Sequence, residues 1–122
     1  MAFLHDEVFD SGLDYLDTNG TRLDICSQEP TSYAEATSTY TLGNKTSLAI
    51  AAPSDRVGGG REVVVAQITD GTVSGTGTAT HVAITNGTDT LLFTYALSSS
   101  QGVTSGNTFS LNSFGIGFAD PT

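Results

Sequence analysis

The chain has little of what most enzymes and most nucleic-acid-binding proteins are made from. Among its 122 residues there is no tryptophan, one cysteine and two histidines, and only four lysines and arginines stand against 13 acids. A lone cysteine, Cys26, excludes an internal disulfide and reads as a small buried hydrophobe. With one cysteine and two histidines, His5 and His81, the chain cannot supply the Cys/His cluster that a zinc site needs. A formal charge of −9 repels phosphate, which argues against nucleic acid and against an anionic membrane surface as partners. No run approaches the roughly 20 apolar residues of a membrane helix. The opening "MAFLHDEVF" lacks the basic start of a secretion signal, so the expectation is a soluble protein made in a cytoplasm.

What is present is apolar, small and unevenly charged. The length suits one domain. Hydrophobic residues make up 38% and charged ones only 14%, so the polar surface must come from Ser, Thr, Asn and the 14 glycines. The first 35 residues hold eight acids and one base, Arg22, and therefore carry −7 of the total −9. The chain divides into a helical, acidic N-terminal region, 1–44, and a β core, 45–122.

Residues 4–17, "LHDEVFDSGLDYLD", have helical periodicity. Leu4, Val8, Phe9, Leu13, Tyr15 and Leu16 fall on one half of the wheel and Asp6, Glu7, Asp10, Asp14 and Asp17 on the other. Asn19-Gly20 predicts a left-handed C-cap. Alternation then predicts strands. "TRLDICSQ" sets Leu23 and Ile25 against Arg22, Asp24 and Cys26, and "KTSLAIAA" (45–52) sets Leu48 and Ile50 on one face. Pro30 and "TSYAEATST" read as a loop or one helical turn. "SDRVGGGR" (54–61) reads as the most flexible segment of the chain. "EVVVAQIT" (62–69) is a β-branched central strand, "DGTVSG" a turn, and "TGTATHVAIT" (76–85) and "TLLFTYAL" (90–97) a hairpin around "NGTD". "SSSQGVTSGN" is a polar connector and "TFSLNSFGIGF" (108–118) a last strand. Consecutive strands without helices between them form antiparallel sheets, so the fold class is mainly β: a small antiparallel β-sandwich or Greek-key barrel with one N-terminal helix.

No constellation for catalysis stands out, and no cofactor is implied. His81 has no companion, and no serine sits in a nucleophile elbow. "DTNGTRLD" is not a calcium loop, because Gly20 falls at position 4 counted from Asp17 rather than position 6. "RVGGGRE" is followed by neither Lys-Ser/Thr nor a helix, so it is not a phosphate loop. Asn19, Asn44 and Asn86 head three sequons that read as turns. Arg56 and Arg61, half of the basic residues, flank Gly58, Gly59 and Gly60 in an acidic chain. Those five residues are the candidate partner-binding site.

The C-terminal part, "GTATHVAITNGTDTLLFTYALSSSQGVTSGNTFSLNSFGIGF", resembles a module of small virion structural proteins of tailed bacteriophages, through "TATHVAI", the following strand with "LL", "VTSGNTF" and a last apolar strand. The opening "FLHDEVFDSGLDYLDTNGTRLDICSQEPTSYAEATSTYTLGNKT" is similar to the start of such proteins, so the resemblance covers most of the chain. It implies a non-enzymatic accessory virion protein, foremost a capsid decoration or cement protein that binds the major capsid protein or other virion proteins. A tail, neck or fibre component in contact with host or glycans is the alternative. The expected location is the virion, after synthesis in the host bacterial cytoplasm, and the oligomeric state, monomer or homo-oligomer, stays open.

Overall fold

A computed structural model describes residues 5–119, the Asp6 side chain excepted. It is mainly β, with curled antiparallel sheets and one N-terminal helix, as a small sandwich or barrel requires. The elements in order are helix α1 (Asp6–Asn19), β1 (Arg22–Cys26), a π-helical turn (Glu35–Thr39), β2 (Thr41–Thr46), β3 (Ser54–Asp55), β4 (Arg61–Val65), β5 (Ile68–Val73), β6 (Gly77–Thr85), β7 (Leu91–Val103), β8 (Thr108–Leu111) and β9 (Phe114–Phe118). The larger sheet has the order β7-β6-β1-β2-β5-β8 and the smaller one β3-β4-β9.

Helix α1 starts at His5, whose Nδ1 accepts the Glu7 amide at 3.1 Å. Phe9 and Leu13 are buried and Leu16 half-buried, as the periodicity predicts. Val8 and Tyr15, expected on the same face, are instead exposed. Leu4 lies outside the described residues. The expected left-handed cap does not form, for Gly20 has φ −76°. Its amide donates to Leu16 O at 2.7 Å, and a Cβ there would lie 2.9 Å from Ile50 Cδ1. Lack of a side chain, not left-handedness, is what this position demands.

β1 lies in the middle of the large sheet and is buried on both faces. Leu23 and Ile25 face the main core, with Ile68, Val73, Val82, Ile84 and Phe109. On the opposite face the segment 27–40 folds over the sheet, and Cys26, Ala36 and Ala83 form a second small core beside Tyr40 and Leu91. Asp24, which alternation placed on the face opposite Leu23 and Ile25, is therefore fully buried. It is held by Arg22, Nε–Oδ1 2.8 Å and Nη2–Oδ2 2.9 Å, and by the Thr41 hydroxyl at 2.7 Å. Because β1 and β2 are central, a division at residue 44 cuts through the large sheet itself.

Several strands differ from those expected. The strand foreseen at 45–52 lies upstream at Thr41–Thr46. Ser47 at φ 54° ends it, and beyond that Ile50 makes only an isolated bridge to Val65. The expected strand 62–69 is divided at Ala66–Gln67, with β4 in the small sheet and β5 in the large one, and "DGTV" continues β5 rather than turning. The last expected strand is divided likewise at Asn112–Ser113 into β8 and β9. Since β5 pairs with β8 and β4 with β9, the two chain segments cross together from one sheet to the other and make the corner of the fold. Gly71 lies opposite Phe109 in this corner, with the ring where a Cβ would be. The hairpin β6–β7 forms as expected. Asn86 Oδ1 accepts the amides of Thr88, Asp89 and Thr90, and Gly87 takes φ 76°. β7, however, runs on through the supposed connector to Val103. It carries a bulge there, four residues (97–100) standing opposite Thr80 between the pairs His81↔Ala96 and Ala79↔Gln101.

Candidate functional site

Residues 54–61 form a closed hairpin. β3 and β4 pair through Ser54↔Glu62 and Asp55↔Arg61, and the turn is fixed by Arg56 N to Gly60 O and Gly59 N to Arg56 O, both 3.0 Å. Gly58, Gly59 and Gly60 have φ of 92°, 105° and 97°, a run of left-handed residues that only glycine adopts without strain.

The two arginines that flank these glycines do different things. Arg61 is turned inward. Its Nε meets Asp10 on α1 at 2.9 Å and its Nη1 meets Asp55 at 2.7 Å. Hydrogen bonds to those two carboxylates, Asp10 first, raise its pKa above the ordinary value. Its charge is thus used to tie the helix to the small sheet. Arg56 donates from Nη1 to Gly59 O at 3.0 Å and makes no ion pair among the described residues. The hairpin tip between them is Val57.

Val57 belongs to a wider feature that the sequence did not reveal. Among the described residues four large apolar side chains are exposed: Val57 at 95%, Val8 and Tyr15 at 58% and Phe118 at 49%. All four lie in the layer made by α1, the β3–β4 hairpin and β9. Val8 and Tyr15 stand on α1. Phe118 stacks on Phe9 of that helix, ring centroids 5.6 Å apart, and pairs across β9–β4 with Arg61. Glu7 and Asp14, also exposed on α1, give this layer an acidic border. The one available signal was Val57 itself, an apolar residue inside a glycine turn.

His81 stands apart from all of this. It is half-buried in β6, opposite Cys26 on one side and Ala96 on the other, and its Nδ1 lies 2.9 Å from the Thr80 hydroxyl. Among the described residues no three His, Cys, Asp or Glu side chains come together as a metal-binding group, and no helix is long and apolar enough to cross a membrane. Burial, with a smaller push from the nearby Asp24 carboxylate, drives the Cys26 thiol up to about 12, which removes it as a nucleophile.

A cleft of about 740 Å³ opens elsewhere, between the bulged half of β7 and the β8–β9 corner. A smaller one of about 370 Å³ lies between α1 and the strands β7 and β9. The two occupy opposite ends of the same strands, for Leu92, Phe93 and Ile116 border the small cleft whereas Tyr95, Val103 and Phe114 border the large one.

No protein-family model matches the chain, and no curated protein or solved structure is significantly similar to it.

Proposed function

We propose that this chain is a non-enzymatic accessory structural protein of a tailed-phage virion, a decoration or cement protein that binds the outer surface of the head shell. One observation carries the reading: all four exposed large apolar side chains of the described residues gather on one layer, with the single unpaired arginine of the hairpin beside them. A protein that works by adhesion needs apolar side chains left at its surface, and these four supply them. The rest of the architecture serves rigidity. Both faces of the central strand β1 are buried, and the helix is clamped to the small sheet by Arg61. A net charge of −9 keeps many copies soluble until they meet the shell.

On this reading the Val57 tip, Tyr15 and Phe118 supply apolar burial against the major capsid protein. Arg56 supplies orientation and encounter rate rather than hold. Arg61 contributes by keeping the hairpin and helix in register, so its removal would disturb the surface indirectly.

The test is a titration of empty shells lacking the protein with wild type, Val57→Ser/Tyr15→Ser and Arg56→Ala. The apolar double variant is expected to lose at least about tenfold in affinity at any salt concentration, the two side chains together burying a few kcal/mol of apolar surface. Arg56→Ala is expected to lose affinity mainly at low salt. Unchanged binding of the double variant would remove this layer from the interface. Counting copies per particle decides between head and tail: hundreds fit decoration of the shell, and a handful would place the protein at the neck, tail or fibre.

A further inference from the structure

We propose that the large cleft between the bulge of β7 and the β8–β9 corner is a binding site for a neutral saccharide. Its volume, about 740 Å³, falls in the range of small-molecule sites. The inference rests on what lines it and on what the lining leaves unused.

No charged side chain borders the cleft, although the chain as a whole carries −9. A charged ligand would find no counter-ion there, so phosphorylated and carboxylate ligands are disfavoured. Polar groups are plentiful all the same. Ser98, Ser99, Gln101, Ser110 and Asn112 line the walls, and among the described residues none of their side chains makes a hydrogen bond within the chain. All five are exposed, so their donors and acceptors are free to meet a ligand. Gln101 is paired with buried Ala79, and cross-strand partners share a face, so its amide is directed toward the cleft.

The floor is apolar and partly aromatic. Tyr95 and Phe114 meet there at 5.0 Å with their planes inclined by 59°. The Tyr95 hydroxyl, too, makes no hydrogen bond among the described residues. An apolar floor with a rim of uncharged donors and acceptors complements a sugar ring, whose C–H faces pack on rings while its hydroxyls bond outward. A purely apolar ligand fits worse, because it would cover those polar groups without giving them hydrogen-bond partners. An extended peptide fits worse as well, because the bulge at 97–100 interrupts the β7 edge along which it would have to pair. The cleft borders the Phe114 end of β9 and not the Phe118 end, and the proposal does not depend on attachment through Val57 and Tyr15.

The experiment uses the whole isotope-labelled chain and follows backbone amides by NMR while maltohexaose, cellohexaose or xylohexaose is added to millimolar concentration. At least one hexaose is expected to shift the amides of Ser98, Ser99, Gln101 and Asn112 and leave those of Val57 and Tyr15 in place. Gln101→Ala/Asn112→Ala should then weaken that binding about tenfold, as loss of two hydrogen bonds implies. Both residues are exposed, so the melting temperature should not move. Ser99→Tyr, which fills the cleft from its rim, should abolish the shifts and so guards against a double variant that fails to fold. The proposal is overturned if none of the three hexaoses moves these amides. It is equally overturned if an uncharged Thr-Val heptapeptide or the neutral dye N-phenyl-1-naphthylamine moves them at lower concentration than every sugar does.

Discussion

Arg61 grips Asp10 across 51 residues of sequence, with Nε–Oδ1 at 2.9 Å and Nη2–Oδ2 at 3.2 Å, while its Nη1 holds Asp55. One guanidinium thus joins the helix, the short strand β3 and the first residue of β4. Planar bidentate pairing is a geometry that lysine cannot copy. Arg61→Lys and Arg61→Ala are both expected to lower the melting temperature, alanine more than lysine, and to raise amide exchange throughout α1. If Arg61→Ala melts like wild type, the ion pair is a surface ornament and the helix is held by its apolar contacts, Phe9, Leu13 and Leu16 among them.

Gly71 and Phe109 should behave as a single unit. The ring occupies the space of the missing Cβ at the corner where β5 meets β8. Gly71→Val forces the ring aside and is expected to cost about 1–3 kcal/mol. Phe109→Ala should cost about 3–5 kcal/mol, as deletion of a buried aromatic does. In the double variant the two losses should add to less than their sum, because the clash disappears with the ring. Denaturant unfolding of the three proteins measures the coupling, and simple additivity would count against the contact.

Cys26 gives the chain an alkaline weakness. Its folded pKa is raised to about 12 by burial and by Asp24, whereas an unfolded thiol ionises near 8.5. Between those values the unfolded state binds fewer protons than the folded one, so stability falls as pH rises. Cys26→Ala should flatten that decline between about pH 8.5 and 12, the window its unfolded and folded values set. The native thiol should also resist iodoacetamide until the protein unfolds. Rapid labelling at neutral pH would show that the 27–40 cover opens.

Asn86 nucleates the β6–β7 hairpin by accepting three amides with one oxygen and donating from Nδ2 to Asp89 at 2.9 Å. Asn86→Ala is expected to destabilise the protein by about 1–2 kcal/mol, the range for loss of a side-chain cap. The Asn86 and Thr90 side chains hold the Asp89 carboxyl below the usual range. Its contribution to stability is therefore complete above the unfolded carboxylate value and is lost as pH falls through the folded one. An acid titration of Asn86→Ala should show a smaller loss below about pH 4, the ordinary carboxylate region.

The parts of this protein that local chemistry dictates were legible in the residues. Asn86-Gly87 forces its turn wherever it stands, because an asparagine side chain that caps amides and a residue at φ 76° act within five positions. The helical period of 6–19 is local in the same way, as is the antiparallel class of a chain whose strands follow one another without helices. What needed the tertiary structure was every choice made between distant segments. β-branched runs such as "EVVVAQIT" state that a strand is favourable and not which sheet takes it, so the divisions at 66–67 and 112–113 appear only where β4–β9 and β5–β8 are seen to cross together. Alternation placed Asp24 on the face opposite Leu23 and Ile25, but period two cannot say whether the segment 27–40 will cover that face. The half-wheel of α1 likewise fixed which residues are apolar. Which of them the fold could cover was settled by the packing of α1 against β4, and that packing left Val8 and Tyr15 exposed.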